Sequence, residues 1–253
     1  MSEPVLRTDR LVKRFGGITA TSDVSLIIEH GARHALIGPN GAGKTTLINL
    51  LTGVSTPTSG RVLLRGQDIG GLAPHKRVGL GLVRTFQISQ LFGSLTPLQS
   101  LALAVASRED AAHRWWRPMG HDSRIATECE AMLAPFRLIE HAQRPTRELP
   151  YGKRRLLEIA LAVAMKPSVL LLDEPAAGVA AAERQDILDC VAGLPADVSV
   201  LLIEHDMDLV FSFARRMTVL VNGCVLTEGT PAEIAADARV RAVYLGDAGP
   251  HHG

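Results

Sequence analysis

The sequence predicts an α/β fold in which helices cover both faces of a parallel sheet and a helical subdomain is inserted into the chain. Short runs of Val, Ile and Leu alternate with longer helical patterns, which is typical of parallel strands joined by helices. Between residues 88 and 156 β-branched residues are scarce and helical spacing prevails. We therefore expect a single domain, with an α/β core at about 1–87 and 157–253 and the helical subdomain at about 88–156.

The spacing of apolar residues predicts each strand and helix of this fold. Strands are expected where an apolar run is short and is bounded by glycine, proline or charge, and helices where apolar residues recur every three or four positions. In chain order these elements are a strand in RHALIG (33–38), a helix in GKTTLINLLTG (43–53), a strand in SVLLLDEP (168–175), a helix at 181–191 and a strand in VSVLLIEHD (198–206). In the subdomain, one helical face is expected to carry Ile125, Cys129, Met132, Leu133 and Phe136.

The composition limits the classes of protein that fit the chain. The 27 Lys and Arg residues nearly balance the 26 Asp and Glu residues, and this net charge of +1 argues against a protein that coats nucleic acid. Cys129, Cys190 and Cys224 form no CxxC pair, so we expect all three to be core residues in a reducing compartment. The first residues contain no apolar signal segment, and no apolar run reaches the ~20 residues of a membrane-spanning helix. We therefore expect a cytosolic protein whose membrane association is peripheral.

A glycine-rich loop between an expected strand and an expected helix is the strongest functional signal. The segment GPNGAGKTT fits G-x-x-x-x-G-K-[ST] and follows the apolar run ALI. Its glycines let the backbone turn so that N–H groups at the helix N-terminus face phosphate oxygens. We expect Lys44 to reach the β- and γ-phosphates and Thr45 to give its hydroxyl to Mg²⁺. The candidate phosphate-binding residues are Gly38, Pro39, Asn40, Gly41, Ala42, Gly43, Lys44, Thr45 and Thr46.

Further polar residues follow the other expected strands and belong to the same predicted site. Asp173 and Glu174 come at the end of VLLLDEP, and alternation along a strand would point the two carboxylates to opposite sides. Asp173 is predicted to hold Mg²⁺ through water, and Glu174 to act as general base. Gln87 in VRTFQ is a candidate ligand for the metal or the attacking water, and His205 follows the next strand. Lys44, Gln87, Glu174 and His205 form the predicted catalytic set.

With these motifs the chain resembles the ATP-binding subunits of ABC transporters over nearly its whole length. The matching motifs are an adenine-stacking aromatic residue at Phe15, the Walker A loop at 38–46, the Q-loop at Gln87, the signature motif at 149–153, Walker B at 169–175, the D-loop at 176–180 and the switch histidine at His205. The resemblance implies ATP and Mg²⁺ as cofactors. It also implies a P-loop NTPase core of the RecA type with an N-terminal antiparallel β portion.

In this family two subunits sandwich two ATP molecules, and each ATP contacts one subunit's Walker A loop and the other's signature motif. The resemblance therefore implies that the helix start at Pro150, Tyr151 and Gly152 binds a partner's γ-phosphate through backbone N–H groups. Pro150 stands where a small hydroxyl residue is more useful. As a proline in the first helical turn it is expected to leave the fold intact.

A narrower resemblance is to the LivG-type subunits that energise uptake of branched-chain amino acids and related solutes, urea among them. It rests on the segments RTFQ, LPYGKRRLLEIA, DEPAAG, LLIEHDMDLV and GTPAEI with the later VRAVYLGDA. Tyr151 is usual in that subgroup. Pro150, Lys153 and Ala180 depart from it, since Gln is usual at 153 and Asn tends to occur at 180, and these departures affect the face that meets the partner's nucleotide.

The resemblance implies an ATPase subunit of a bacterial ABC importer, peripheral at the cytoplasmic face of the inner membrane. The expected partners are permease subunits, a second ATP-binding subunit and, indirectly, a solute-binding protein; a different second chain is favoured over a homodimer, and no nucleic acid is expected. One alternative is a non-transport ABC protein of DNA or ribosomes, which the absence of a coiled-coil insertion, a tandem cassette and a basic charge disfavours. The other is a regulator without hydrolysis, which would lack Glu174 or His205. Leu91 and Phe92 fit either a groove for a permease helix or the subdomain core.

Overall fold

The computed structural model describes residues 3–85, 91–109 and 123–246. The strands in these ranges are β1 (Leu6–Phe15), β2 (Ile18–Val24), β3 (Ile27–Ile28), β4 (Arg33–Ile37), β5 (Ser59–Leu64), β6 (Gln67–Asp68), β7 (Leu82–Arg84), β8 (Val169–Asp173), β9 (Ser199–Ile203), β10 (Arg216–Val221) and β11 (Cys224–Gly229). The α-helices are α1 (Lys44–Thr52), α2 (Pro74–Gly79), α3 (Pro97–Arg108), α4 (Ser123–Leu133), α5 (Tyr151–Ala164), α6 (Ala181–Ala192), α7 (Met207–Phe213), α8 (Pro231–Ala236) and α9 (Ala238–Gly246).

A six-stranded sheet forms the centre of the molecule. Its order is β11-β10-β4-β9-β8-β7, and all neighbours are parallel except the edge pair of β10 and β11. Strands β8 and β9 are buried throughout, as expected for strands covered on both faces. The predicted parallel sheet is therefore confirmed. The carboxyl ends of its parallel strands lie along one side of the sheet, here called its carboxyl edge, where β4 leads into the glycine-rich loop.

A second sheet is built from the N-terminal part of the chain and is antiparallel. Its order is β2-β1-β5-β6, and β3 also pairs with β1. Apolar residues of this sheet, including Leu6 and Val62, share one core with Leu47 and Ile48 of α1 and with the near face of the central sheet. The antiparallel β portion that the resemblance implied is confirmed.

Helices α3, α4 and α5 pack together and form the inserted helical portion. Cys129, Leu133 and Phe136 are buried in their common core, and Ile125 and Met132 pack against it. The predicted apolar face is therefore confirmed. Helix α4 ends at Leu133, so Phe136 reaches the core from the turn that follows the helix.

The prediction that all three cysteines are core residues is wrong for one of them. Cys129 and Cys190 are buried, whereas Cys224 is exposed. Cys224 is the first residue of β11, an edge strand, and lies directly after the turn that joins β11 to β10. Cys224 is exposed at the start of β11, whose residues other than Gly229 are at most partly buried. In the described ranges, no helix is long and apolar enough to cross a membrane.

A buried arginine holds the far end of the helix that follows the glycine-rich loop. Arg77 of α2 is 1% exposed, and its guanidinium donates to the carbonyl oxygens of Leu50, Leu51, Gly70 and Leu72 at 2.6–3.0 Å. Two of these carbonyls belong to the last turn of α1, where helix carbonyls lack intrahelical partners. Arg77 thereby caps α1 from a distant part of the chain.

Candidate active site

The glycine-rich loop lies between β4 and α1, as predicted. Gly38 has φ 152°, and a Cβ built on it would lie 2.1 Å from the Leu220 carbonyl oxygen of β10. Gly43 is the N-cap of α1 with φ 99°, and a Cβ there would lie 2.5 Å from the Ala20 carbonyl oxygen. Neither position admits a side chain. The loop can therefore keep its backbone N–H groups turned toward a ligand at the N-terminus of α1.

Lys44 folds back over this loop. Its Nζ donates to the carbonyl oxygens of Gly38, at 2.6 Å, and Pro39, at 3.0 Å. Burial lowers the pKa of Lys44, and the nearby charges of Glu174 and Asp173 act in the opposite direction. The ammonium group therefore lies at the loop and close to the acidic pair. Thr45, the next residue, is exposed.

Asp173 and Glu174 lie at the carboxyl end of β8 in different surroundings. Asp173 is the last residue of the strand, and its side chain is 5% exposed. Glu174 has left the strand with φ 48°, a left-handed conformation that residues other than glycine rarely adopt, and its side chain is 27% exposed. Strand alternation does not set the direction of both carboxylates, because β8 ends at Asp173 and Glu174 lies in the turn that follows.

His205 lies next to the acidic pair. Its Nδ1 is 3.7 Å from Glu174 Oε1 and 3.9 Å from Glu204 Oε2, and its side chain is 67% exposed. Lys44, Glu174 and His205, three of the four predicted catalytic residues, thus gather at one edge of the central sheet. The fourth, Gln87, lies outside the described residues.

Sequence reasoning missed Glu204, which lies directly behind this edge. Glu204 is 2% exposed, and its carboxylate accepts hydrogen bonds from the backbone N–H groups of Ala176, at 3.3 Å, and His205, at 3.2 Å. Burial raises its pKa. The carboxylate joins the segment after β8 to the segment after β9. An acidic residue directly before His205, at the end of an apolar run, was the available signal.

Arg84 is the second residue that sequence reasoning missed. It ends β7, and its guanidinium donates to Asp173 Oδ2 at 2.6 Å and to Asn49 Oδ1, on α1, at 2.9 Å. One side chain therefore connects the helix after the glycine-rich loop with the acidic edge. Its signal in the sequence was a basic residue at the end of a short apolar run, three positions before Gln87.

Phe15 lies at the end of β1 and exposes an aromatic face. Its side chain is 53% exposed, and Lys13 Nζ lies 4.9 Å from the centre of the ring. An exposed ring of this kind can stack on a planar base.

The segment expected to face a partner forms the start of α5. Pro150 is the exposed N-cap, one position before the first turn in which a proline was expected. The Tyr151 hydroxyl donates to the Ala177 carbonyl oxygen at 3.4 Å, so Tyr151 contacts the D-loop segment of its own chain. Gly152 is buried, and a Cβ there would lie 2.7 Å from Glu183 Oε2. A side chain at position 152 would therefore displace the end of the Glu183 side chain on α6.

An apolar groove of about 520 Å³ separates the helical portion from the edge of the central sheet. Leu91, Phe92, Leu103 and Leu161 contribute to its walls. Leu91 packs against the helical core, whereas Phe92 is 64% exposed. Leu91 therefore fits the interpretation as a residue of the subdomain core. Phe92 fits the interpretation as a residue of a docking groove, because it is exposed at the surface.

Comparison with known proteins agrees with these motifs. Residues 21–177 match the family model described as ABC transporter, and residues 224–250 match the one described as Branched-chain amino acid ATP-binding cassette transporter. The chain is 41% identical to BraF of Pseudomonas aeruginosa, over 98% of this chain and 100% of that protein. It is 38% identical to LivG of Escherichia coli, with the same two coverages. Both relatives are named high-affinity branched-chain amino acid transport ATP-binding proteins.

The architecture also matches that of solved structures. MJ1267, described as an ATP-binding cassette of an ABC transporter, has 30% sequence identity in its ADP conformation and a TM-score of 0.84. The match covers 97% of this chain and 100% of MJ1267. The glycine-rich loop, the acidic edge, the two family matches and these full-length relatives together show that the chain belongs to the ABC transporter family of ATP-binding proteins, in its branched-chain amino acid group.

Proposed function

We propose that the chain is the ATP-hydrolysing subunit of an importer for branched-chain amino acids or similar small polar solutes. The observation that carries this proposal is the meeting of Lys44, Asp173, Glu174 and His205 at one edge of the sheet, beside a loop that admits no side chain at its key glycines. The names of the relatives favour transport over a DNA- or ribosome-associated role and over a regulator without hydrolysis.

In the proposed mechanism the chain first binds ATP through the loop at 38–46. Backbone N–H groups at the start of α1 receive the phosphates, and Lys44 exchanges its bonds to loop carbonyls for phosphate oxygens. Phe15 stacks on adenine. The exchange is local, because the ammonium group already lies against the loop.

The oxygen ligands beside the loop fit Mg²⁺. The exposed hydroxyl residue Thr45 and the carboxylate of Asp173 are the hard oxygen donors that Mg²⁺ prefers, and Gln87 is proposed as a further ligand. Within the described residues, His, Cys, Asp and Glu side chains form no cluster of three or more that could hold a metal ion. Phosphate oxygens and water would complete the ligand set of an ion bound with ATP. The bound ion would supply charge neutralisation on the phosphates.

Glu174 and His205 carry the proposed hydrolytic step. Glu174 accepts the proton of the attacking water, and its partial exposure leaves the carboxylate accessible to that water. His205, within 3.7 Å of Glu174, contacts the γ-phosphate and helps to hold it in line. The left-handed backbone at Glu174 lies just after β8, and it leaves the side chain partly exposed, at 27%.

A direct test compares Glu174→Gln with Glu140→Gln, an exposed control. The first variant should keep ATP binding but lower turnover by about 10²-fold or more, since the general base is lost. The control should match the wild type in both assays. Turnover of Glu174→Gln within a few-fold of wild type would refute the assignment. Leucine uptake by proteoliposomes with the cognate permeases, lost in Glu174→Gln, tests the transport role itself.

The proposed partners are permease subunits at the cytoplasmic membrane face and a second ATP-binding subunit. The start of α5 would contact the ATP bound to that second subunit. We propose that the groove beside Phe92 accepts a permease segment. Glu158 in its wall uses Oε2 for Arg155, and in the described part of the chain its buried Oε1 has no hydrogen-bond partner. The docking segment should therefore combine apolar side chains with a donor group.

Recruitment to permease-containing vesicles tests this groove. Phe92→Asp should abolish binding to the vesicles and spare the ATPase activity of the free subunit, because Phe92 lies outside the core. Ile139→Asp is the matched control, since Ile139 is 61% exposed elsewhere on the helical portion. Normal recruitment of Phe92→Asp would refute docking at this surface.

A further inference from the structure

A half-buried guanidinium stands between the helix after the phosphate loop and the carboxylate that is proposed to hold Mg²⁺. Arg84 Nη2 donates to Asp173 Oδ2 at 2.6 Å, and Nη1 donates to Asn49 Oδ1 at 2.9 Å. The exposed fractions of the two charged side chains are 15% for Arg84 and 5% for Asp173. The ion pair is therefore shielded from water, and solvent competes little for its two charged groups.

The two anchors of Arg84 fix its orientation. Its guanidinium is planar, so bonds from both Nη atoms to different elements leave it little freedom to rotate. Asn49 is on α1 and Asp173 ends β8, and Arg84 itself belongs to β7. Arg84 therefore fixes the position of the Asp173 carboxylate relative to α1, the helix that begins at the phosphate loop.

Only one oxygen of Asp173 is used in this contact. Arg84 binds Oδ2, and no described residue donates a hydrogen bond to Oδ1. Within the described residues, the salt bridge of Asp173 is with Arg84. A buried carboxylate without a cationic partner is costly, so Arg84 supplies the partner of the Asp173 carboxylate through Oδ2 and leaves the other oxygen for another ligand.

We propose that Arg84 is a positioning residue for Asp173: it holds Oδ2 so that Oδ1 meets the hydration shell of the Mg²⁺ bound to ATP. The inference rests on the proposed function, in which Asp173 holds Mg²⁺ through water. A competing effect exists, because a cation beside a carboxylate weakens its attraction for a second cation. The separate anchor at Asn49 favours positioning, since it holds Arg84 through a contact that does not involve Asp173.

Binding of ATP measured by titration calorimetry, once in EDTA and once in excess Mg²⁺, tests this role without a catalytic readout. The ratio of the two dissociation constants gives the gain in affinity due to Mg²⁺. In Arg84→Met this gain should fall about tenfold or more, because the charge partner and the orientation of Asp173 are both lost, while the affinity in EDTA changes less than about threefold. Asn49→Ala keeps the arginine and loses one anchor, so its gain should fall about threefold. Arg61→Met is the control, since Arg61 pairs with Asp9 at 3.2 Å on the surface.

Each result supports or overturns the proposal. An unchanged Mg²⁺-dependent gain in folded Arg84→Met overturns it, and an increased gain overturns it in favour of competition between Arg84 and the metal. If Arg84→Met does not fold, an unchanged gain in Asn49→Ala overturns it instead. A wild-type protein without any gain would refute the role of Asp173 and this inference together, whereas a wild-type gain that the variants retain refutes the role of Arg84 alone.

Discussion

A buried histidine in the central sheet should make the protein lose stability in mild acid. His34 of β4 is 1% exposed, and its Nε2 lies 2.8 Å from Thr218 Oγ1 on β10. Burial lowers the pKa of His34 from 6.5 to about 4; Glu228 opposes this effect and Arg216 adds to it. The folded protein therefore keeps the imidazole neutral at pH values where the unfolded chain binds a proton.

The pH window and the magnitude follow from this lowered pKa. The stability that depends on neutral His34 is fully present above pH 6.5 and is lost as the pH falls from 6.5 toward about 4. A pKa difference of one corresponds to about 1.4 kcal/mol, so the complete loss is about 3 kcal/mol. About 2 kcal/mol of this loss is expected by about pH 5.

Denaturant unfolding of His34→Gln and wild type over this range tests the reasoning. Gln keeps a polar end near Thr218 but does not titrate, so the variant should escape the acid-dependent loss. The difference in free energy of unfolding between the two proteins should therefore change by about 2 kcal/mol between about pH 7.5 and about pH 5. His75→Gln, at an exposed position, should follow the wild type. Parallel pH curves for wild type and His34→Gln would refute the role of His34.

Three further predictions concern the site and the fold. Lys44→Ala should weaken ATP binding about tenfold or more, since a charge on the phosphates is lost; unchanged affinity in equilibrium dialysis would show that the loop is not the site. Pro150→Ser in the assembled transporter should raise ATPase activity, because the serine hydroxyl can donate a hydrogen bond to the γ-phosphate of the partner's ATP. A hydrogen bond to a charged group contributes roughly 1.5–3 kcal/mol. That gain in activity should survive Lys44→Ala of this chain if the second subunit is a different chain, and it should disappear if the subunit forms a homodimer. Equal activity of Pro150→Ser and wild type in every background would mean that the backbone N–H groups of the helix start suffice to bind the γ-phosphate. Arg77→Met should lower the free energy of unfolding by about 3–5 kcal/mol, because buried carbonyls lose their donor; a Tm equal to that of the exposed control Lys76→Met would contradict this.

The parts predicted correctly from the sequence are those whose information is local. The glycine-rich loop with its flanking strand and helix lies in one continuous segment, and so does the strand that ends in Asp173. Glycine spacing, apolar runs and helical periodicity act over about ten residues or fewer, so they can be recognised without knowing the neighbours. The apolar face around Cys129 and Leu133 was found for the same reason.

The contacts that sequence reasoning missed join distant segments. Arg84 and Asp173 are 89 positions apart, and Glu204 and Ala176 are 28 apart. No local pattern shows that an arginine at the end of a short run will meet a particular carboxylate. The turn at Glu174 escaped notice as well, because the sequence does not show where β8 stops.

The sequence by itself therefore predicted the strands beside the glycine-rich loop and the acidic pair, the loop proposed to bind phosphate and the residue types proposed for catalysis. The tertiary structure decided which of those residues meet, which carboxylate is paired and which cysteine is exposed. The physical reason is strand order: β4 lies between β9 and β10, so His34 meets Thr218, which is 184 positions away in the chain. Burial and the pairing of charges depend on such neighbours, and the neighbours are set when the whole sheet forms.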